Sequence, residues 1–447
     1  MTRFARDLPM ALAGCVLALA AALPAAAAAA KDPLSDDAVD ARIRAHRTAD
    51  VTLTVLDAAG KPLAGKTVTV EQARHQFLFG CNIFRLDPAD TSAAQKAYQE
   101  RYTALLNYAT LPFYWGGFER QEGATETQRI RAMAEWCQAR GIRTKGHPLC
   151  WHTVKPRWLE GKTLDEVKRL QLGRITRDVT AFKGLTDTWD VVNEAVVMPT
   201  FQVQTNEIAR LCKDLGPVEL IRQTFAAARE ANPKATLLLN DFDTSPRFEK
   251  LVEECLAAGA AIDVVGIQSH MHGGYRGARW AWDVCERFKR FGKPIHFTEL
   301  TITSGEIKKQ IRWHGPRYDD WHSMPEGEAR QAREVREFYR ILFSHPAVEA
   351  VTWWDFADDR AWLGAPAGLL RQDMSPKPAY ETLMVMVKKE WWTGPTTLKT
   401  DAAGNVKFRG YLGTYVVEQG GGYWRDGFRV EKPGPRAVTA RLWHGVP

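Results

Sequence analysis

Two glutamates follow short apolar runs, Glu194 in T-W-D-V-V-N-E-A-V (Thr188 to Val196) and Glu299 in F-T-E-L-T (Phe297 to Thr301). Other apolar runs end in imidazoles and carboxamides: G-H-P-L-C-W-H (Gly146 to His152), N-D-F-D (Asn240 to Asp243) and Q-S-H-M-H (Gln268 to His272). A further stretch, T-W-W-D-F-A-D-D-R-A-W (Thr352 to Trp362), is rich in indoles. Paired carboxylates flanked by indoles suit hydrolysis of a sugar chain. One carboxylic acid protonates the departing glycosidic oxygen, and the other carboxylate attacks or stabilises the anomeric carbon. Tryptophan faces stack on the apolar faces of pyranose rings, while Asn, Gln and His read hydroxyls. Taken alone, Glu194 could be a carboxylate capping a helix start, and any one tryptophan could be core packing. Asp190 lies on the apolar run itself and reads as a structural hydrogen-bonding residue.

Such residues need elements to position them. From Phe77 onward, short apolar strands alternate with longer amphipathic helices. The strands read as 77–81, 108–110, 143–146, 186–192, 236–240, 263–268, 294–298 and 350–354. Helical patterns lie near 127–140, 164–182, 217–231, 247–258, 278–291, 327–343 and 377–390. Eight strands, each followed by a helix or a gap of helix length, predict a (β/α)8 TIM barrel over 75–392, whose site lies at the C-terminal ends of its strands. The motifs above fall at those ends. The fourth and seventh strands face each other across such a barrel, so Glu194 and Glu299 are expected to approach to about 5–5.5 Å, the separation that implies retention of configuration. Residues 31–74 read as a small β-rich segment, with a hairpin over 51–72 around D-A-A-G-K-P. Residues 393–447, rich in Gly, Thr and Val, read as a small all-β module.

Length and composition bound the rest. The chain has 447 residues, 45% hydrophobic and 25% charged, which is ordinary for a globular protein. Its formal charge of +7 is mild, and Lys and Arg are spread along the chain, so nucleic acid is not an expected partner. The sequence carries no C-x-x-C, H-E-x-x-H, P-loop or G-x-G-x-x-G, so no metal or cofactor is expected. Residues 1–30 read as a signal peptide: Arg3 and Arg6, an apolar run from Leu8 to Leu23, then small residues from Ala25 to Ala30. The protein is therefore expected to be exported, secreted or periplasmic. Leu12-Ala13-Gly14-Cys15 also resembles a lipobox, which leaves lipid anchoring through Cys15 open. The other six cysteines sit in apolar runs and read as buried free thiols. Nothing in the sequence signals an oligomer, so a monomer is expected.

In family order, G-H-P-L-C-W-H, W-D-V-V-N-E-A, N-D-F-D, G-I-Q-S-H-M, F-T-E-L, W-W-D-F-A-D-D-R-A-W and P-K-P-A-Y make residues 75–390 resemble glycoside hydrolase family 10, the family of retaining endo-β-1,4-xylanases. The resemblance implies Glu194 as general acid/base and Glu299 as nucleophile. It implies that Asn193 bonds the 2-hydroxyl of the sugar at the cleavage point and that His270 keeps Glu299 ionised. Gln268 and His147 would contact substrate, and Trp354 and Trp362 would line a sugar platform supported by Trp151. The partner so implied is a xylan-type polysaccharide. The sequence also departs from the family pattern. Where members usually carry a polar clamp, the second strand runs into T-L-P-F-Y-W-G-G-F-E (Thr110 to Glu119). Thr301 stands where an aspartate usually partners the histidine, and Phe242 replaces a common tyrosine. The loop Trp313 to His322 adds aromatics. Two alternatives stay open: the same mechanism on a different or substituted β-glycan, and a carbohydrate-binding barrel without turnover.

Overall fold

The structure is a computed structural model that describes residues 32–444. Two strands come first, β1 (Thr48–Leu56) and β2 (Thr67–His75). Eight parallel strands then close a barrel: β3 (Leu78–Asn82), β4 (Tyr108–Pro112), β5 (Arg143–His147), β6 (Thr188–Asn193), β7 (Thr236–Asp241), β8 (Val264–Met271), β9 (Ile295–Ile302) and β10 (Val348–Trp353). Neighbours follow chain order, and β10 pairs with β3 to complete the ring. Both faces of these strands are covered, which is why they read as continuous apolar runs rather than alternating ones. All six residues of β6 and all eight of β9 are buried. The fold is thus the (β/α)8 barrel that the alternation predicts.

The long helices lie where the sequence puts them, among them Thr127–Ala139, Leu164–Ala181, Pro217–Ala231 and Pro325–Ser344. Leu164–Ala181 starts with a reciprocal capping box between Thr163 and Glu166. Helices Ala93–Leu105 and Glu207–Leu215 were not foreseen. The stretch 303–324 after β9 holds no helix or strand and is tied to the loop after β10 by Tyr318 N–H to Leu363 O at 2.7 Å and Ser304 N–H to Pro366 O at 2.9 Å.

The terminal segments form β-sheets as expected, but the start of the first and its expected hairpin require correction. The segment expected to be β-rich opens with a helix, Asp36–Arg47. The turn of the expected hairpin exists, with the Asp57 carboxylate accepting from the Ala59 and Lys61 N–H groups at 2.9 Å. Its strands do not pair, and a single bridge joins Leu56 to Pro62. Instead β1 lies between two later strands, β12 (Asn405–Tyr411) and β15 (Gly434–Arg441). Strand β2 joins a five-stranded sheet with β11 (Thr396–Lys399), β13 (Gly413–Gln419), β14 (Trp424–Val430) and β16 (Trp443–His444). The reason is burial. Val51, Leu53 and Val55 of β1 meet Val68, Val70, Val417 and Phe428 in one core, which an isolated hairpin could not enclose. The two terminal pieces are therefore one β unit made from both ends of the described chain.

This unit sits against the N-terminal end of the barrel strands. There Arg47, just before β1, donates to the carbonyls of Phe343, His345 and Val348, each at 2.6 Å, and the Tyr411 hydroxyl of β12 donates to Glu390 O at 2.8 Å. The opposite end is left for the site. The six cysteines from Cys81 to Cys285 are free and buried. The predicted signal segment and Cys15 lie outside the described residues.

Candidate active site

At the C-terminal ends of the strands lies a cavity of about 640 Å³. All nine residues singled out from the sequence line it: His147, Trp151, Asn193, Glu194, Gln268, His270, Glu299, Trp354 and Trp362. Glu194 is the first residue past β6. Its backbone has φ +57°, a left-handed conformation that costs a non-glycine residue on the order of 1 kcal/mol. That twist breaks the alternation of the strand, and the Glu194 N–H is held by Asn240 O at 2.8 Å.

Asn240 at the end of β7 joins the two glutamates. Its amide donates to Asn193 Oδ1 at 2.7 Å and to Glu299 Oε1 at 2.9 Å, while its carbonyl oxygen accepts from Thr298 Oγ1 at 2.5 Å. Gly266 on the neighbouring strand makes room, since a Cβ there would lie 2.5 Å from Asn240 Oδ1. Gln268 donates to Asn193 Oδ1 at 3.1 Å and to Glu194 Oε1 at 3.2 Å. Asn193 Nδ2 also donates to Glu194 Oε1, at 3.2 Å, and Trp151 Nε1 donates to Glu194 Oε2 at 2.9 Å.

The two carboxyls have opposite electrostatics. Burial pushes Glu194 up to about 7, the charge of Glu299 adds to the rise, and the Trp151 and Gln268 bonds oppose it without prevailing. The imidazole nearest to it, His152, with Nε2 at 3.9 Å, is pushed down to about 4 by burial and so brings no positive charge at neutral pH. Burial also acts to raise Glu299, but its polar neighbours prevail and its pKa lies below the ordinary value. Those neighbours are His147, with Nε2 at 3.8 Å from Oε1, His270, with Nε2 at 3.0 Å from Oε2, and Lys145. Behind them Asp190 is fully buried, 2.7 Å from His147 Nδ1 and 2.6 Å from Lys145 Nζ. One group is thus kept protonated and its neighbour charged, the division of labour that acid-assisted attack on an acetal needs.

A sequence profile, glycosyl hydrolase family 10, matches residues 71–386. The chain belongs to this family. It is 26% identical over 402 residues to the anti-sigma-I factor RsgI6 of Acetivibrio thermocellus, covering 85% of this chain and 46% of that protein. It is 26% identical over 390 residues to an endo-1,4-beta-xylanase/feruloyl esterase of Xylanibacter ruminicola, covering 80% of this chain and 51% of that one. The chain thus spans about half the length of these relatives. Among solved structures it is similar in fold to xylanase 10B of Thermotoga petrophila, at TM-score 0.60 and 24% identity over 70% of this chain and 95% of that one.

Within this family 10 barrel, the departures noted in the sequence take definite places. Of the four aromatics after β4, Phe113 and Trp115 turn into the core, while Tyr114 and Phe118 line the cavity, Tyr114 lying 5.6 Å from Trp151 by centroid. Gly116 is needed where the chain crosses the backbone of Val154 and Lys155, because a Cβ would meet Lys155 O at 2.6 Å. Thr301 Oγ1 lies 2.9 Å from His270 Nδ1, and a hydroxyl can donate to or accept from that nitrogen, whereas a carboxylate only accepts. Phe242 is exposed and does not line the cavity.

The tryptophans divide. Trp354 is 5% exposed, its ring in edge contact with His147, His270 and Phe84, whereas Trp362 is 37% exposed and lies 5.7 Å from Trp313 of the 303–324 loop. Trp151 acts on Glu194 through its N–H, a role distinct from the expected support of a platform. His147 is 1% exposed, with Nε2 3.8 Å from Glu299 Oε1 and Nδ1 2.7 Å from Asp190 Oδ2. Sequence reasoning missed Asn82 at the end of β3 and Phe84 after it, Asp355 after β10, and the arginines Arg120, Arg129, Arg317 and Arg360, all of which line the cavity. The indole-rich motif already contained Asp355 and Arg360; the others follow no motif.

Proposed function

We propose that this protein is a retaining endo-β-1,4-glycosidase that hydrolyses xylan-type polysaccharide by double displacement. The observation that carries the reading is the pair of glutamates in one aromatic-lined cavity, one protonated to about pH 7 and the other held ionised. A Glu299 oxygen attacks the anomeric carbon while protonated Glu194 gives its proton to the departing glycosidic oxygen, leaving a glycosyl ester on Glu299. Glu194, now a carboxylate, takes a proton from water, which attacks the same carbon and releases Glu299. Asn193, held by Gln268 and Asn240, presents an amide beside the acid, where it can bond a sugar hydroxyl whose charge changes in the transition state. Xylan as the polymer is supported by family membership and by the xylanase named among the relatives. All the residues used come from one chain, in keeping with action as a monomer. Export is proposed from Arg3, Arg6 and the apolar run that follows them.

The test is product release from a panel of β-glycans, comparing the parent with Glu299→Ala. Xylo-oligosaccharides from the parent alone support the reading. Equal turnover by Glu299→Ala would overturn the assignment of the nucleophile.

A further inference from the structure

The charged groups lining the cavity are unevenly arranged. Its acids, Glu194, Glu299 and Asp355, are buried or nearly so at the ends of strands. Its arginines, Arg120, Arg129, Arg317 and Arg360, are exposed residues on the surrounding loops and one helix. They come from different elements: Arg120 from the loop after β4, Arg129 from helix Thr127–Ala139, Arg317 from the 303–324 loop and Arg360 from the loop after β10.

Their own ion pairs are few. Arg120 and Arg317 have no carboxylate within ion-pair distance among the described residues. Arg129 Nε is 3.4 Å from a half-exposed Glu126, a pair of small worth in water. Arg360 Nε is 4.0 Å from Asp359, whose carboxylate is already bonded to Arg85. Arg360 also has φ +57°, an unfavourable backbone conformation for a branched-chain or long side chain at an exposed position. A neutral sugar chain offers hydroxyls and apolar ring faces, which the tryptophans, asparagines and glutamine of the floor already serve. Guanidinium groups, with paired N–H donors and a fixed charge, match a planar or tetrahedral oxyanion.

We propose that the cleft selects a β-glycan bearing anionic substituents, with Arg317 and Arg360 from the connections after β9 and β10 and Arg120 and Arg129 from the connection and helix after β4 as the groups that read them. This rests on the glycosidase reading and adds a substrate class to it. The anion is a uronyl carboxylate or a sulfate ester, which share this recognition chemistry.

The experiment uses the full chain, with glucuronoxylan, the same polymer after carboxyl reduction, and a sulfated xylan. Turnover is followed as kcat/KM, and binding is followed in Glu299→Gln protein by retardation in gels containing each polymer. The parent should favour the anionic polymer over its reduced form by about tenfold, which corresponds to about 1.4 kcal/mol. The preference should shrink with added salt, because exposed charges are screened beyond about 10 Å at moderate ionic strength. In Arg317→Gln/Arg360→Gln, and separately in Arg120→Gln/Arg129→Gln, the anionic-to-neutral ratio should fall, with thermal melts confirming folding. Stronger retention by the sulfated than the uronyl polymer would assign the sulfate ester as the source. Equal turnover and equal retardation on anionic and neutral polymers by the parent would overturn the proposal. Failure of the glycosidase reading looks different: no polymer is cut, while retardation still reports whether the arginines select charge.

Discussion

The acid/base assignment makes a quantitative prediction at Trp151. Its indole N–H donates to Glu194 Oε2 at 2.9 Å, a bond that favours the carboxylate form. Trp151→Phe removes the donor while keeping an aromatic ring over the glutamate, so the burial that lifts the group to about 7 remains. Two donors stay in place, Asn193 Nδ2 and Gln268 Nε2, each 3.2 Å from Oε1. A hydrogen bond to a charged group is worth about 1.5–3 kcal/mol, and one pKa unit is about 1.4 kcal/mol. Allowing for partial replacement of the lost donor by water, Glu194 should rise by about one further unit. The assay is kcat/KM against pH on a soluble oligosaccharide, which reports the groups of the free enzyme. The alkaline limb, where Glu194 loses its proton, should move up by about one unit, while the acid limb set by Glu299 stays. A lower plateau from lost ring contact does not affect this comparison, because limb position is the readout. An alkaline limb that stays in place or moves down would refute the claim that Glu194, in the environment described, is the acid.

Three further outcomes follow from the same geometry. Glu194→Ala should lose about 10²–10⁴-fold on glycans that need leaving-group protonation and far less on substrates with good leaving groups, where azide should restore turnover. Lys145→Met leaves Asp190 buried without its cation and should cost about 3–5 kcal/mol in denaturant unfolding, and the acid limb should rise because Lys145 helps hold Glu299 down. Asp355 is lifted by burial to about 7, so the folded chain takes its proton more readily than the unfolded one. Its stabilising contribution is complete below the ordinary value of 3.8 and is lost as pH rises through about 7. Asp355→Asn still accepts the Trp362 N–H and should therefore recover on the order of 2–4 kcal/mol above pH 7, seen as a smaller drop in Tm between mildly acidic and mildly alkaline buffer.

The barrel was legible because strands buried on both faces leave continuous apolar runs, and such runs end where polar chemistry begins. That placed Glu194, Glu299, Asn193, Gln268 and His270 correctly in space without any side-chain geometry. The opposite directions of the Glu194 and Glu299 pKa shifts were expected from what acid and nucleophile require. The partners that produce them, such as the buried Lys145–Asp190 pair behind His147, have no local signature in the sequence. The strand pairing within the β unit was misread for a related reason. Alternation at period two reports that one face of β1 and of β2 is buried, but not against what, and their partners come from more than 300 residues later in the chain.

On the proposed reading, chemistry and selectivity occupy physically different parts of this molecule. Glu194 and Glu299, with the groups that connect them, hang on four consecutive barrel strands, β6 to β9, whose register fixes every side chain at once. A one-residue slip there would turn the acid out of the cavity, so these positions tolerate little change. The arginines and Trp313 sit on a helix and on connections that carry no ladder, and the 303–324 loop is held to the loop after β10 by a few backbone bonds. Replacing those connections alters what reaches the glutamates while leaving their mutual placement intact. An aromatic stretch after β4 and arginines around the rim are therefore compatible with a two-carboxylate centre. On this argument the substrate of a family 10 barrel has to be read from its rim, since the floor reports only the bond that is broken.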